Sequence, residues 1–226
     1  MTYKLLLLAI APAFAICLFI YFKDKHEKEP LKLLLISFFL GVISVIPTLI
    51  LSKVGEMIFN FDAFSNSILF SFASCFIGIG LVEEYSKFIF VRYYTYKKKD
   101  FNEPFDGIVY CVMVSMGFAT LENILYVYKG GESVAWMRMF TAVPMHAVFA
   151  VFMGYFMGIQ KFYNKKNFAI IGLLIAALIH GIYDFVLMYP DFNDGIKILG
   201  FLACIILGIR YSFKAMKIHQ EQSPFK

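Results

Sequence analysis

Apolar residues along this chain fall in runs of roughly 20, separated by short charged knots, which is the length a helix needs to cross the hydrocarbon of a bilayer. The runs cover about 3–22, 31–52, 67–96, 105–128, 138–160, 168–189 and 196–213. They lack the two-residue alternation of barrel strands, and only helices or closed barrels satisfy every backbone group in lipid. The pattern therefore predicts an all-α fold: a polytopic membrane helix bundle of about seven transmembrane helices, forming one domain over residues 1–226.

The third run is too long for a straight span. Thirty residues of helix reach about 45 Å, against about 30 Å of hydrocarbon. Either it tilts strongly or it breaks near Gly78 and Gly80, with residues 67–77 as a separate short or re-entrant piece; the break is preferred, because glycine is the cheapest place to interrupt a helix. The first run resembles a signal peptide, with Lys4, Leu5–Leu8 and then Ala-Pro-Ala, but it continues through Phe22 and its charges follow it. It reads as a retained first helix.

Composition agrees with lipid as the solvent. Of 226 residues, 60% are hydrophobic and 16% charged, against roughly half and a quarter in soluble domains. The net charge of +5 does not point to nucleic acid, because the basic residues sit in loops between spans. One set of loops carries Lys23, Lys25, Lys28, Lys32, Arg92, Lys97–Lys99, Lys161, Lys165, Lys166, Arg210, Lys214, Lys217 and Lys226; the other carries Lys4, Lys53, Lys129, Arg138 and Lys197. The positive-inside rule then puts the first set and the C-terminus in the cytoplasm and the N-terminus outside. The cysteines (Cys17, Cys75, Cys111, Cys204) lie in apolar stretches without CxxC spacing and read as small buried hydrophobes.

Charged side chains at mid-bilayer cost at least about 2.5–3.5 kcal/mol, so those inside the runs need partners or a water-filled cavity. The third run contains Glu83-Glu84-Tyr-Ser-Lys87. Lys87 is four residues from Glu83 and three from Glu84, so it can neutralise one carboxylate and leave the other free to titrate. In the fourth, Phe118, Glu122 and Tyr126 form an i, i+4, i+8 ladder; the fifth offers His146 about two turns in from Arg138. The sixth pairs His180 with Asp184 four residues on, on one face. Each alone is also what an insertion salt bridge or an interhelical hydrogen bond looks like. Four helices carrying such residues at similar depth, in the outer half, are more simply one convergent site.

Carboxylates and imidazoles without a serine–histidine pairing suggest activation of water rather than a protein nucleophile. Ser86 and Ser115 have no obvious base. In the hydrolytic scheme Glu83 or Glu84 accepts a proton from attacking water, and His146 or His180 stabilises the oxyanion or protonates the leaving amine. A metal version would use His146, His180, Glu83 and Glu122 as ligands with zinc the natural ion, but no HExxH pattern supports it, and no cofactor is favoured.

Five motifs in order, spread over four of these runs, carry a resemblance. Glu83-Glu84-x-x-Lys87, Asp106-Gly107-Ile-Val-Tyr110, Gly117-Phe118-Ala119-x-x-Glu122-Asn123-x-x-Tyr126, Arg138 with Pro144-x-His146, and His180-Gly181-Ile-Tyr-Asp184 together resemble the PrsW family of bacterial intramembrane proteases, distant relatives of the CAAX-prenyl endopeptidases. Ala11-Pro12, Tyr21-Phe22-x-x-Asp24 and Glu29-Pro30 are similar to the family's opening. The resemblance implies a multi-pass protease of the bacterial plasma membrane that makes the first, extracytoplasmic cut in a single-pass anti-sigma factor, under envelope or antimicrobial-peptide stress. It implies Glu83, Glu84 and His180 as essential, with Glu122 and His146 alongside and Lys87, Asn123, Tyr126, Arg138 and Asp184 in support. Relatives often have Asn where this chain has Asp184, and the family's mechanism is divided between glutamic and metal-dependent. The rival class is a proton-coupled transporter using the same cluster as a relay, which internal repeat symmetry would favour; the sequence shows none.

Overall fold

A computed structural model describes residues 2–226. Its elements are α1 (Tyr3–Lys23), α2 (Leu31–Phe59), α3 (Ile68–Ala73), a π-helical stretch (Ser74–Leu81), α4 (Val82–Tyr93), α5 (Pro104–Phe140), α6 (Ala142–Phe162), α7 (Phe168–Met188) and α8 (Asp194–Glu221), with no strand among the described residues. Local chemistry sets the helix ends. The Thr2 and Asn193 side chains accept from the backbone N–H of Leu5 and Ile196. Glu103 and Asp106 form a capping box with Pro104 in the first turn of α5, and Asn60 closes α2 in the left-handed region at φ 49°.

The first half of α5 is the post around which the bundle is built: every residue from Pro104 to Thr120 is buried. A helix that is apolar all round belongs in the interior. α1, α2, α4 and α6 pack on it. α2 comes so close that a Cβ on Gly117 would sit 1.8 Å from the Phe38 carbonyl oxygen. The outward faces of α1, α2 and α8 carry Phe14, Phe39, Ile50 and Ile206, the side chains lipid requires.

Among the described residues, six stretches are long and apolar enough to cross a membrane. The fourth and fifth predicted runs fall within one of them, Pro104–Phe162, which is 59 residues long. That stretch folds back on itself. Gly131 takes φ 72°, a conformation only glycine adopts freely, and the stretch 132–140 leads into α6, which returns along α5 so that Ser115 Oγ donates to the His146 carbonyl at 2.9 Å.

The expected break near Gly78 and Gly80 is absent. The helix is continuous through both glycines but underwound into π turns. The glycines serve contact instead: a Cβ on Gly80 would lie 2.6 Å from the Ala177 carbonyl oxygen, and one on Gly181 2.6 Å from Phe76 Cα. Turns closed by hydrogen bonds to the fifth residue are rare and recur at functional sites. This stretch holds α7 close and sets the face that α4 presents directly after it. All four cysteines are unpaired.

Candidate active site

The ionisable residues of four helices meet at one place. Glu83, Glu84 and Lys87 come from the start of α4, Glu122 and Asn123 from α5, His146 from α6, and His180 and Asp184 from α7. The Lys87 ammonium, 2% exposed, lies 2.7 Å from Glu84 Oε1, 3.6 Å from Glu83 Oε2 and 3.2 Å from His146 Nδ1, and 4.2 Å from the centroid of the Phe118 ring. Glu84, with no exposed surface, also receives His180 Nδ1 at 3.0 Å. A buried carboxylate needs compensation of this kind to remain folded.

A second group adjoins the first. Glu122 Oε2 accepts from Arg138 Nη2 at 2.6 Å and lies 3.0 Å from His146 Nε2. Arg138 Nε donates to Asn123 Oδ1 at 2.9 Å, and the guanidinium lies 4.1 Å from the centre of the Tyr126 ring. With Lys87 at Nδ1 and Glu122 at Nε2, both nitrogens of His146 are engaged. His180 differs: Glu84 fixes Nδ1, while Nε2 points toward Asp184 Oδ2 at 3.3 Å and Glu83 Oε2 at 4.0 Å.

A cavity of about 510 Å³ opens on this arrangement, and Glu83, Glu122, Tyr126, His146, His180 and Asp184 line it. Glu84 and Lys87 do not; they stand behind. At 1.5 Å per residue, Glu83, His180, His146 and Glu122 lie roughly 15 to 27 Å along their helices from the end that carries Lys97 and Lys165.

All ten residues expected from the sequence come together here. Three features went unread. Phe149, three residues after His146, stacks on the His180 ring with centroids 4.4 Å apart and stops it turning. Phe118 packs under the ammonium rather than serving only as one rung of a ladder. Tyr183 and Thr141 add to the cavity wall. The i+3 spacing of His146 and Phe149 was the available signal. Ser86 Oγ and Ser115 Oγ donate to backbone carbonyls of Val82 and His146, so neither hydroxyl is aimed at the cavity as a nucleophile.

The donor set fits a divalent cation. Glu83, Glu84, His146 and His180 each offer a ligand atom within 4.8 Å of the others. Glu84 belongs to this set, and Glu122, which the sequence reading included, does not. Glu83 Oε2, Glu84 Oε2 and Asp184 Oδ2 are buried without hydrogen-bond partners. Tetrahedral zinc separates its ligand atoms by roughly 3.3 Å, near the His180 Nε2 to Asp184 Oδ2 distance of 3.3 Å.

Fold and site together define a polytopic helical membrane protein with an acid–imidazole centre facing an internal cavity. The comparisons with known proteins make the class specific. The model of the PrsW family, described as intramembrane metalloproteases, matches residues 29–209. The chain is 36% identical over 191 residues to "Protease PrsW" of Geobacillus kaustophilus, covering 84% of this chain and 82% of that one. It is 38% identical over 181 residues to the same-named protein of Bacillus subtilis (79% and 80% covered) and 36% identical over 201 residues to that of Clostridioides difficile (83% and 81%). No solved structure matches the chain. The chain belongs to the PrsW family of intramembrane proteases.

Proposed function

We propose that this protein is an endopeptidase of the bacterial plasma membrane. It makes the first, site-1 cut, on the extracytoplasmic side, in a single-pass anti-sigma factor, and so starts release of a sigma factor in envelope or antimicrobial-peptide stress. Family membership supports the class of reaction. One observation carries the mechanism: the Glu83 carboxylate faces the cavity with Oε2 free of any hydrogen-bond partner, beside His180 Nε2.

In this reading Glu83 takes a proton from a water molecule as its oxygen attacks the peptide carbonyl carbon. His180, on the cavity wall, stabilises the oxygen that gains negative charge. The carbon–nitrogen bond then breaks, and the proton held by Glu83 passes to the leaving nitrogen. Glu84 is a positioning residue. It fixes His180 through Nδ1 and is itself held by Lys87. Glu122 and Arg138 position His146 in the same way.

The family description and the unpartnered oxygens favour one second reading. Glu83, Glu84, His146 and His180 would hold zinc, with Asp184 beside His180 Nε2. The chemistry bound zinc supplies is a water of pKa about 7 and a polarised carbonyl. Metal content of the purified protein, measured before and after exhaustive chelation alongside cleavage, separates the readings: metal-free protein that still cleaves leaves Glu83 as the general base. Co-expression with candidate single-pass anti-sigma factors tests the substrate; a cut that disappears in Glu83→Gln supports it, and a cut that persists there refutes it.

A further inference from the structure

The cavity has two unlike walls. Besides the ionisable residues, Leu187 of α7 and Ile198 and Phe201 of α8 line it, with Lys197 among them. α8 is fastened to the bundle by its far half: its buried residues run from Gly208 to His219, and none between Asp194 and Leu207 is buried. Near the cavity it meets α7 through Gly200 against Val186 and Phe201 against Tyr183. This half of α8 is the loosest boundary of the cavity, and it is the side on which a second helix could lie against the site.

Three cations line the cavity or stand behind it, and two are taken. Lys87 belongs to Glu84, and Arg138 to Glu122 and Asn123. Lys53 and Lys217, elsewhere, pair with glutamates on their own helices. Lys197 is half-buried on the α8 wall, and its ammonium has no carboxylate within 4.0 Å and no hydrogen-bond partner among the described residues. The Glu83, Glu122 and Asp184 carboxylates of the ionisable wall stand among Arg138, His146 and His180, so a further acidic side chain finds its unengaged cation at Lys197 instead. That asymmetry gives a bound polypeptide a direction.

We infer that the α8 wall is the docking surface for the segment of the membrane-spanning substrate in which an acidic residue adjoins a run of large apolar residues. The acid lies against Lys197, and the apolar residues lie on Leu187, Ile198 and Phe201. The inference rests on the protease reading and names Lys197 as its specificity determinant. Charge across such a contact discriminates between partners more than it adds affinity.

The test uses two synthetic single-span peptides, each with about 20 apolar residues, preceded by an Asp-Asp or a Lys-Lys pair. Their binding to the full-length Glu83→Gln protein in detergent is measured by fluorescence anisotropy. The acidic peptide is expected to bind about five- to tenfold more tightly than the basic one, the scale of a partly desolvated pair set against a like-charge contact. Lys197→Glu, added to the same background, reverses the order, and Lys197→Met brings the two within about twofold. With Glu83 intact, Lys197→Glu raises KM for the acidic peptide and leaves kcat unchanged. The same preference in all three proteins overturns the docking surface. Binding that follows the charge swap without cleavage of either peptide by the wild-type chain overturns the protease reading and leaves the surface standing.

Discussion

Two clusters of buried ionisable side chains lie in this molecule, built on opposite plans. In the site cluster, carboxylates alternate with an ammonium, a guanidinium and two imidazoles, and the group opens on a cavity. The second lies where the loop after α1 meets the start of α5. There Asp24, Glu29, Glu103 and Asp106 are all buried, and Tyr110 donates its hydroxyl to Glu29. The nearby Lys28 ammonium turns to the backbone carbonyls of Tyr21 and Asp24 rather than to a carboxylate. Asp106 instead takes the N–H groups of Asn102 and Glu103, at 2.6 and 2.7 Å. Burial, and then the neighbouring Glu103, push Asp24 up to about 7; burial pushes Glu29 up to about 7 and raises Glu103. The contrast teaches that buried acids alone do not make an active centre. What distinguishes the candidate site is carboxylates interleaved with cations and imidazoles at the edge of a cavity.

Substitutions in the two clusters should therefore separate cleanly. The largest effect is expected for Glu83→Gln and His180→Ala, which should lower the cleavage rate of a single-span substrate by about 10²–10⁴-fold while the protein still elutes as a folded species in detergent. Lys87→Met comes next. It strands the fully buried Glu84, an arrangement that typically costs about 3–5 kcal/mol, read as a lowered unfolding midpoint. Adding Glu84→Gln should restore much of that stability but not cleavage, because His180 then lacks its carboxylate. If the double variant cleaves normally, the positioning role of Glu84 is wrong.

Arg138→Met should reduce kcat by about 10²-fold through misplacement of Glu122 and His146, with little change in KM. The smallest effect is expected at the other cluster. Asp24 has a folded-state pKa near 7 against 3.8 ordinarily, so its favourable contribution is complete below about pH 4 and is lost as pH rises through 7. Asp24→Asn should then raise the thermal midpoint by a few degrees at pH 8 and leave it unchanged at pH 4. Cleavage should be unaffected; a large loss of cleavage in Asp24→Asn would erase the distinction between the clusters.

Much of this was legible in the run lengths and the placement of charge. Hydrophobic runs located the helices, because lipid leaves a chain so few alternatives. Glu83, Glu84, Lys87, Glu122, His146, His180 and Asp184 stood out because each is costly in hydrocarbon, whereas Asn123 and Arg138 joined the site through the family resemblance. The glycines of the third run misled: Gly80 reads as a place to break, whereas its lack of a side chain is used to bring α7 against the π-helical stretch. Glu83 and Glu84 could not be ranked, since adjacent residues differ only by a 100° rotation whose reference is set by tertiary packing. The fold resolves them, with Glu83 toward the cavity and Glu84 toward Lys87. The second cluster was hidden for a plainer reason. Asp24, Glu29 and Glu103 flank apolar runs, where charge is expected to be solvated, and only the packing of two loops against α5 buries them.

The claim at the centre of this account is that Glu83 is the group acting on substrate and water. Its most direct test is the rate at which purified protein, reconstituted in liposomes, cleaves a single-span substrate when Glu83 is replaced by Gln. The account predicts cleavage by the wild-type chain and none above background by Glu83→Gln, with substrate binding retained. Cleavage at the wild-type rate by folded Glu83→Gln protein would contradict it.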